Sequence, residues 1–231
     1  MNSPVLIACA HGTRNVEGQA AIRQVMAEIE ALRPGLTVVE AYVDVQEPEL
    51  GGVVAGLPEG TPAVVVPLLL STGYHVKVDI PKAIKSRPRC PRRRRWAGSA
   101  ARGAARRTAA RLGLGDDDGV LLAAAGSSLP DGSVDSEEQA RQLAELLPNK
   151  VRVAYGASAE PNVPDGVAAL RAEVTDEGGR VVVSSYLLAT GYFHDQLSKA
   201  GADVVTAPLL PSPVLAEIAL ERYDAAVAAR S

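Results

Sequence analysis

The chain has 231 residues, 47% of them apolar, with 24 basic and 27 acidic side chains giving a formal charge of −3. That is enough to bury a core in each of two units of ordinary domain size. No apolar run approaches the roughly 20 residues that span a bilayer, and the N-terminus lacks the basic-then-apolar layout of an export signal, so a cytoplasmic protein with no membrane partner is expected.

In chain order, the first half predicts a strand at 4–10, a helix at 17–33, a strand at 36–43, a helix at 48–57, a strand at 62–70 and a short helix at 79–86. The second half predicts strands at 119–125, 150–156, 180–188 and 202–207, with helices at 135–147, 164–175, 194–200 and 211–229. The strands read as continuous Val/Ile/Leu/Ala runs without polar alternation, as a sheet covered by helices on both faces requires. The expected fold is an α/β protein with an open parallel sheet, present twice in tandem. The expected domains are 1–115, carrying the active site, and 116–231, a degenerate copy.

The two halves repeat one another, and the second omits the histidines. Val5-Leu6-Ile7-Ala8-Cys9-Ala10 ends in His11-Gly12-Thr13-Arg14, whereas Val120-Leu121-Leu122-Ala123-Ala124-Ala125 ends in Gly126-Ser127-Ser128. Likewise Ser71-Thr72-Gly73-Tyr74-His75 follows one apolar run, and Ala189-Thr190-Gly191-Tyr192-Phe193 follows its counterpart. Ala125 therefore stands where the first copy has His11, and Phe193 where it has His75. Ligands of such sheets bind beyond the carboxyl ends of the strands, so the chemistry is expected in the first half. His194, one residue past the His75 position, reads as a helix-start residue.

One stretch breaks the pattern. Residues 86–111 contain ten Arg, seven Ala, two Gly and two Pro, with no acidic residue. Codons built only from G and C encode just those four types. The segment thus reads either as a reading-frame shift in a GC-rich gene or as a genuine basic insertion. Without its ten arginines the chain would hold 14 basic against 27 acidic residues, which repels a polyanion. With one aromatic residue in the run, Trp96, no nucleic-acid partner is expected.

Cys9 and Cys90 provide neither a paired metal spacing nor a disulfide framework, which leaves histidine and carboxylate for metal chemistry. His11 and His75, each within two residues of a glycine, are the candidate metal ligands and proton acceptors. Asp44 and Glu47, in Ala41-Tyr42-Val43-Asp44-Val45-Gln46-Glu47-Pro48, are the candidate acidic partners, with a helix cap and a first-turn carboxylate as their alternative roles. Ala10 stands where a histidine phosphatase needs arginine, and Gly126-Ser127-Ser128 lacks the Gly-x-Ser-x-Gly elbow of a serine hydrolase.

The Ala-His-Gly-Thr-Arg start, the Ala41–Pro48 segment and Val66-Pro67-Leu68-Leu69-Leu70-Ser71-Thr72-Gly73-Tyr74-His75-Val76-Lys77-Val78-Asp79-Ile80-Pro81 together resemble the CbiX/SirB group of sirohydrochlorin cobalto- and ferrochelatases. The resemblance covers most of residues 4–85, and the second half is similar to the degenerate domain of the long members. It implies a chelatase-like fold and ATP-independent insertion of Fe2+ or Co2+ into sirohydrochlorin, for sirohaem or cobalamin. The divalent metal is then a substrate, with no permanently bound cofactor. His11 and His75 match the family's active-site histidines, and Asp44 matches a position usually held by Glu. Gly12, Thr13, Arg14, Gly73, Tyr74 and Lys77 are the residues expected against the polycarboxylate macrocycle, in a monomer or a homodimer. The alternative from another class is a non-catalytic metal or tetrapyrrole carrier.

Overall fold

The computed structural model describes residues 3–85, 112–174 and 178–229. The Arg/Ala-rich segment 86–111 lies outside the described residues, as do Cys90 and the predicted ends at residues 86 and 175. Two parallel sheets are present, as expected. The first has the order β2-β1-β3, from β1 (Val5–Ala10), β2 (Val38–Tyr42) and β3 (Ala63–Pro67). The second has the order β5-β4-β6-β7, from β4 (Gly119–Ala124), β5 (Lys150–Tyr155), β6 (Val181–Tyr186) and β7 (Val204–Val205).

Period-two alternation splits the first sheet into two faces. Ile7, Cys9, Ala41, Ala63 and Val65 form one core with Leu50 and Val54 of α2 (Leu50–Gly56) and Ile80 of α3 (Ile80–Ala83). Leu6, Ala8, Val64 and Val66 are equally buried and alternate with these. Their side of the sheet is where α1 (Val16–Leu32) and the last helix meet. In the second sheet, Leu121, Ala123, Val181 and Val183 pack with Val163, Val167 and Leu170 of α5 (Val163–Val174) and Leu197 of α6 (Tyr192–Leu197). The helix α4 (Pro130–Ala144) packs on β5.

Two expectations need correction. Strand β5 is not a uniformly apolar run, because Lys150 and Arg152 are exposed while Ala154 and Tyr155 are buried. It is an edge strand, so alternate positions face solvent. The strand expected at 202–207 shortens to Val204–Val205, the other edge.

The sequence repeats and the compact units also differ. The last helix, α7 (Pro213–Ala228), belongs to the second repeat by sequence, but packs on α1 and β3 of the first unit. One unit contains β1–β3 together with the chain from Leu210 onward, and the other ends at Leu209. The Tyr223 hydroxyl donates to the Pro4 carbonyl at 2.6 Å, and Arg33 Nη2 donates to Asp224 Oδ2 at 2.8 Å, tying α7 to both ends of the β1–α1 unit.

In the second unit, Asp118 pins the starts of the strands. Its carboxylate is 6% exposed and accepts the Gly115 and Arg180 backbone N–H groups at 2.8 Å each, and Arg180 Nη2 at 2.6 Å. The Arg180 guanidinium is the main cause holding this carboxyl down, at about 2. An aspartate of an unfolded chain titrates near 3.9, so Asp118 stabilises the folded state above about pH 4, and that contribution is lost as the pH falls toward about 2. Asp118→Asn is expected to lower the urea midpoint at pH 7. The gap from the parent chain should narrow as the pH falls below about 4, and a constant gap across that window would refute the assignment.

Candidate active site

The site begins where β1 stops. The Val43 and Asp44 amides donate to the Ala10 and His11 carbonyls at 3.0 Å each, so the hydrogen bonding of β1 with β2 continues past the last strand residue. Gly12 then turns the chain with φ +98°, and a methyl group built there would lie 2.1 Å from the Asp44 carbonyl oxygen. Only glycine fits both the left-handed backbone and that approach. Beyond it, the Thr13 amide donates to Gln46 Oε1 at 3.3 Å, and Gln19 Nε2 donates to the Thr13 carbonyl at 2.8 Å. Asn15 Oδ1 caps α1 by accepting the Gly18 amide at 2.8 Å.

His75 arrives from β3 through the 68–74 segment. It is not in a loop before a helix at 79, as the sequence pattern predicts, but opens a π-helical turn, His75–Asp79, that runs directly into α3. The His75 carbonyl accepts the Ile80 amide, five residues on. Pro81 supplies the reason. It has no N–H, and its ring crowds the carbonyl four residues earlier, that of Lys77, so the backbone widens just before it.

This construction places the two imidazoles face to edge, with ring centroids 4.7 Å apart and planes at 89°. Both Nδ1 atoms meet oxygen acceptors. His75 Nδ1 lies 2.6 Å from Asp79 Oδ2, and His11 Nδ1 lies 3.2 Å from the Gly12 carbonyl. Carboxylate and carbonyl oxygens can only accept, so a neutral ring that donates to either from Nδ1 keeps its lone pair on Nε2. Two half-buried imidazoles side by side can bind a borderline divalent ion or take up protons.

The expected acidic partners are occupied elsewhere. Asp44 is exposed and its Oδ1 accepts the Val45 amide at 2.8 Å; Glu47 is exposed and its Oε2 accepts the Glu49 amide at 2.9 Å. Both serve the turn in which Val45 adopts φ +63°, a strained conformation for a β-branched residue. Among the described residues, no three of His, Cys, Asp and Glu are grouped closely enough to hold a metal ion. The carboxylate that does meet an active-site candidate is Asp79, which the sequence reading omitted. The His-x-x-x-Asp spacing would have revealed it had the helix been started at residue 75.

The remaining candidates lie around the pair. Arg14 is exposed on the loop before α1, and Thr13 is half-buried in it. Tyr74 is 48% exposed with its ring 6.3 Å from that of His75. The Gly73 carbonyl accepts the Lys77 amide at 3.1 Å, and Lys77 is half-buried in the π turn. Cys9, two residues before His11, is fully buried, which pushes its thiol up to about 12 and keeps it neutral.

The second copy keeps the turn without the imidazole pair. Gly126 has φ +90° and Ser158, at the Val45 position, has φ +59°. Phe193 packs against the second core, and His194 is spent on the backbone, its Nε2 lying 3.1 Å from the Thr206 carbonyl. Among the described residues, no helix is long and apolar enough to cross a membrane.

Comparison with solved structures finds the same fold. The chain is similar to SirB from Bacillus subtilis with Fe3+, at 22% identity and a TM-score of 0.79, covering 99% of this chain and 97% of that one. It is similar to the sirohydrochlorin chelatase SirB from Bacillus subtilis subspecies spizizenii in complex with cobalt, at 19% identity, TM-score 0.76, and 97% and 95% coverage. It also resembles CbiX, the terminal enzyme for biosynthesis of siroheme in denitrifying bacteria, at 20% identity, TM-score 0.69, and 96% and 98% coverage. No curated protein matches the sequence. The CbiX family model matches residues 5–112 and again residues 119–226, and the chain, both copies together, belongs to the CbiX family.

Proposed function

We propose that this protein inserts a divalent metal ion, Fe2+ or Co2+, into sirohydrochlorin without nucleotide hydrolysis. The observation that carries the proposal is the contact of His11 and His75 at 4.7 Å, with both Nδ1 atoms engaged by acceptors. Membership of the CbiX family supports the substrate.

The chemistry asks for three things: a partly desolvated ion, removal of two pyrrole protons, and nitrogens placed to replace the ion's remaining ligands. Nε2 of His11 and of His75 displace water from the ion on one side, and the macrocycle's pyrrole nitrogens approach from the other. Each N–H bond that breaks leaves its electron pair on nitrogen for the new metal–nitrogen bond. As the ion passes to the macrocycle each Nε2 lone pair is freed, and the released protons go to it or to water. No electron is transferred, and the metal leaves in its entering oxidation state. Arg14 and Lys77 supply positive charge for the carboxylates at the rim of the macrocycle, and Tyr74 an exposed aromatic surface beside His75.

The test is to follow sirohydrochlorin absorbance anaerobically with Co2+ and with Fe2+, substrate being in large excess over protein. Many product molecules per chain support the reading, and the ratio of the two rates assigns the metal. Binding that stops at one equivalent would overturn it in favour of a carrier.

A further inference from the structure

We infer that Asp79 is a positioning residue, which holds His75 as the Nδ1–H tautomer and so dedicates its Nε2 to the metal; this rests on the role given to His75 above. The contact, at 2.6 Å between Nδ1 and Oδ2, is shorter than a neutral N–H···O bond, the direction in which a carboxylate acceptor shifts it. His75 and Asp79 are each about one-third exposed, at 32% and 34% of side-chain surface. The carboxylate is therefore accessible to water and still directed at the ring.

The backbone makes this arrangement. A free imidazole in water favours the Nε2–H tautomer, which would block the nitrogen needed for the metal. The π turn before Pro81 carries residues 75 and 79 on one side of the widened helix, so the carboxylate reaches Nδ1 from within the same turn. His11, by contrast, has only the neutral Gly12 carbonyl, at the longer distance of 3.2 Å.

The duplicated half gives an internal comparison. With Phe193 at the His75 position, the residue four further on is Leu197, where the first copy has Asp79. Leu197 is 2% exposed and packs in the second core, as Phe193 does in part. The histidine and the aspartate are thus present together in one copy and absent together in the other. A carboxylate kept only to end a helix or solvate a turn has no reason to vanish with its imidazole, since α6 starts and stops in the second copy without it.

The test uses the full chain with 15N-labelled histidine, read by long-range 1H–15N correlation at a pH where the imidazoles are neutral, the His75 signals being assigned by their loss in His75→Ala. The parent chain is expected to show His75 as Nδ1–H. In Asp79→Asn, whose amide N–H group donates to Nδ1, and in Asp79→Leu, which reproduces the second copy, His75 is expected to move toward Nε2–H while His194 stays unchanged. Metal-insertion kcat is expected to fall about 10- to 100-fold with KM for sirohydrochlorin held. Nε2–H in the parent chain, a tautomer unmoved in both variants, or a loss confined to KM would each overturn the inference. If the parent chain shows no turnover, the chelatase reading fails, and the tautomer spectra still decide the role of Asp79.

Discussion

Alanine at either His11 or His75 is expected to lower multiple turnover of metal insertion by at least about 100-fold, the lower end of what a positioned acid–base group contributes, with thermal stability close to that of the parent chain. The second copy shows why stability should survive. Ala125 already occupies the His11 position there, and the strand before it and the left-handed Gly126 after it form without an imidazole. Phe193 likewise sits in the first turn of α6 at the His75 position. The fold therefore does not need either ring, and a loss of turnover in a folded variant reads as loss of chemistry. Because the rings stand 4.7 Å apart and address one ion, their effects should not add: the double variant is expected to be little worse than the worse single one. Two independent and multiplying losses would instead mean that the histidines act on separate steps at separate places. Retained turnover in both single variants would remove the site from the first half altogether.

Much of this was legible before any coordinates. The histidines stood out because duplication supplies its own control, and strand ends in parallel sheets are where ligands bind. The apolar runs of β1, β3, β4 and β6 have no other reading in a sheet covered on both faces. What failed has physical reasons. A helix predicted from residue 79 leaves His75 outside it and hides the His75–Asp79 spacing, whereas the helical turn begins at His75 and widens before Pro81. Asp44 and Glu47 follow a strand, where ligands are expected, and the structure adds that their carboxylates accept the Val45 and Glu49 amides in a turn. No propensity would place Val45 at φ +63°, so neither the turn nor its need for those acceptors was visible. The destination of α7 was hidden for another reason. Leu215, Ala216, Ile218, Ala219 and Leu220 are all buried, and a helix apolar on several sides does not name its neighbours. Tertiary packing decides, and it carries α7 to α1 and β3.

The same duplication allows stability and activity to be separated at one kind of residue. Gly12→Ala and Gly126→Ala are each expected to destabilise by about 3 kcal/mol, from a strained left-handed residue together with an overlapping methyl group. At Gly12 the new Cβ would lie 2.1 Å from the Asp44 carbonyl oxygen, and at Gly126 1.8 Å from that of Ala157, both backbone atoms that cannot swing aside. The smaller backbone entropy of unfolded alanine offsets well under half of this. The consequences should then diverge. Asp44 donates its amide to the His11 carbonyl and accepts the Gln46 amide at 2.6 Å, and Gln46 in turn holds the Thr13 amide. A shift forced on Asp44 therefore moves the backbone of His11 itself, and a displacement of about 1 Å can cost roughly 100-fold in rate. The loop after Gly126 supports no imidazole pair, since the second copy has one histidine, His194, whose Nε2 lies against the Thr206 carbonyl. Measured well below both melting transitions, turnover per folded molecule is expected to drop sharply in Gly12→Ala and to stay near the parent value in Gly126→Ala, although urea midpoints fall alike. Equal losses of turnover would show that the second copy takes part in the chemistry, and equal retention would show that His11 tolerates a displaced backbone.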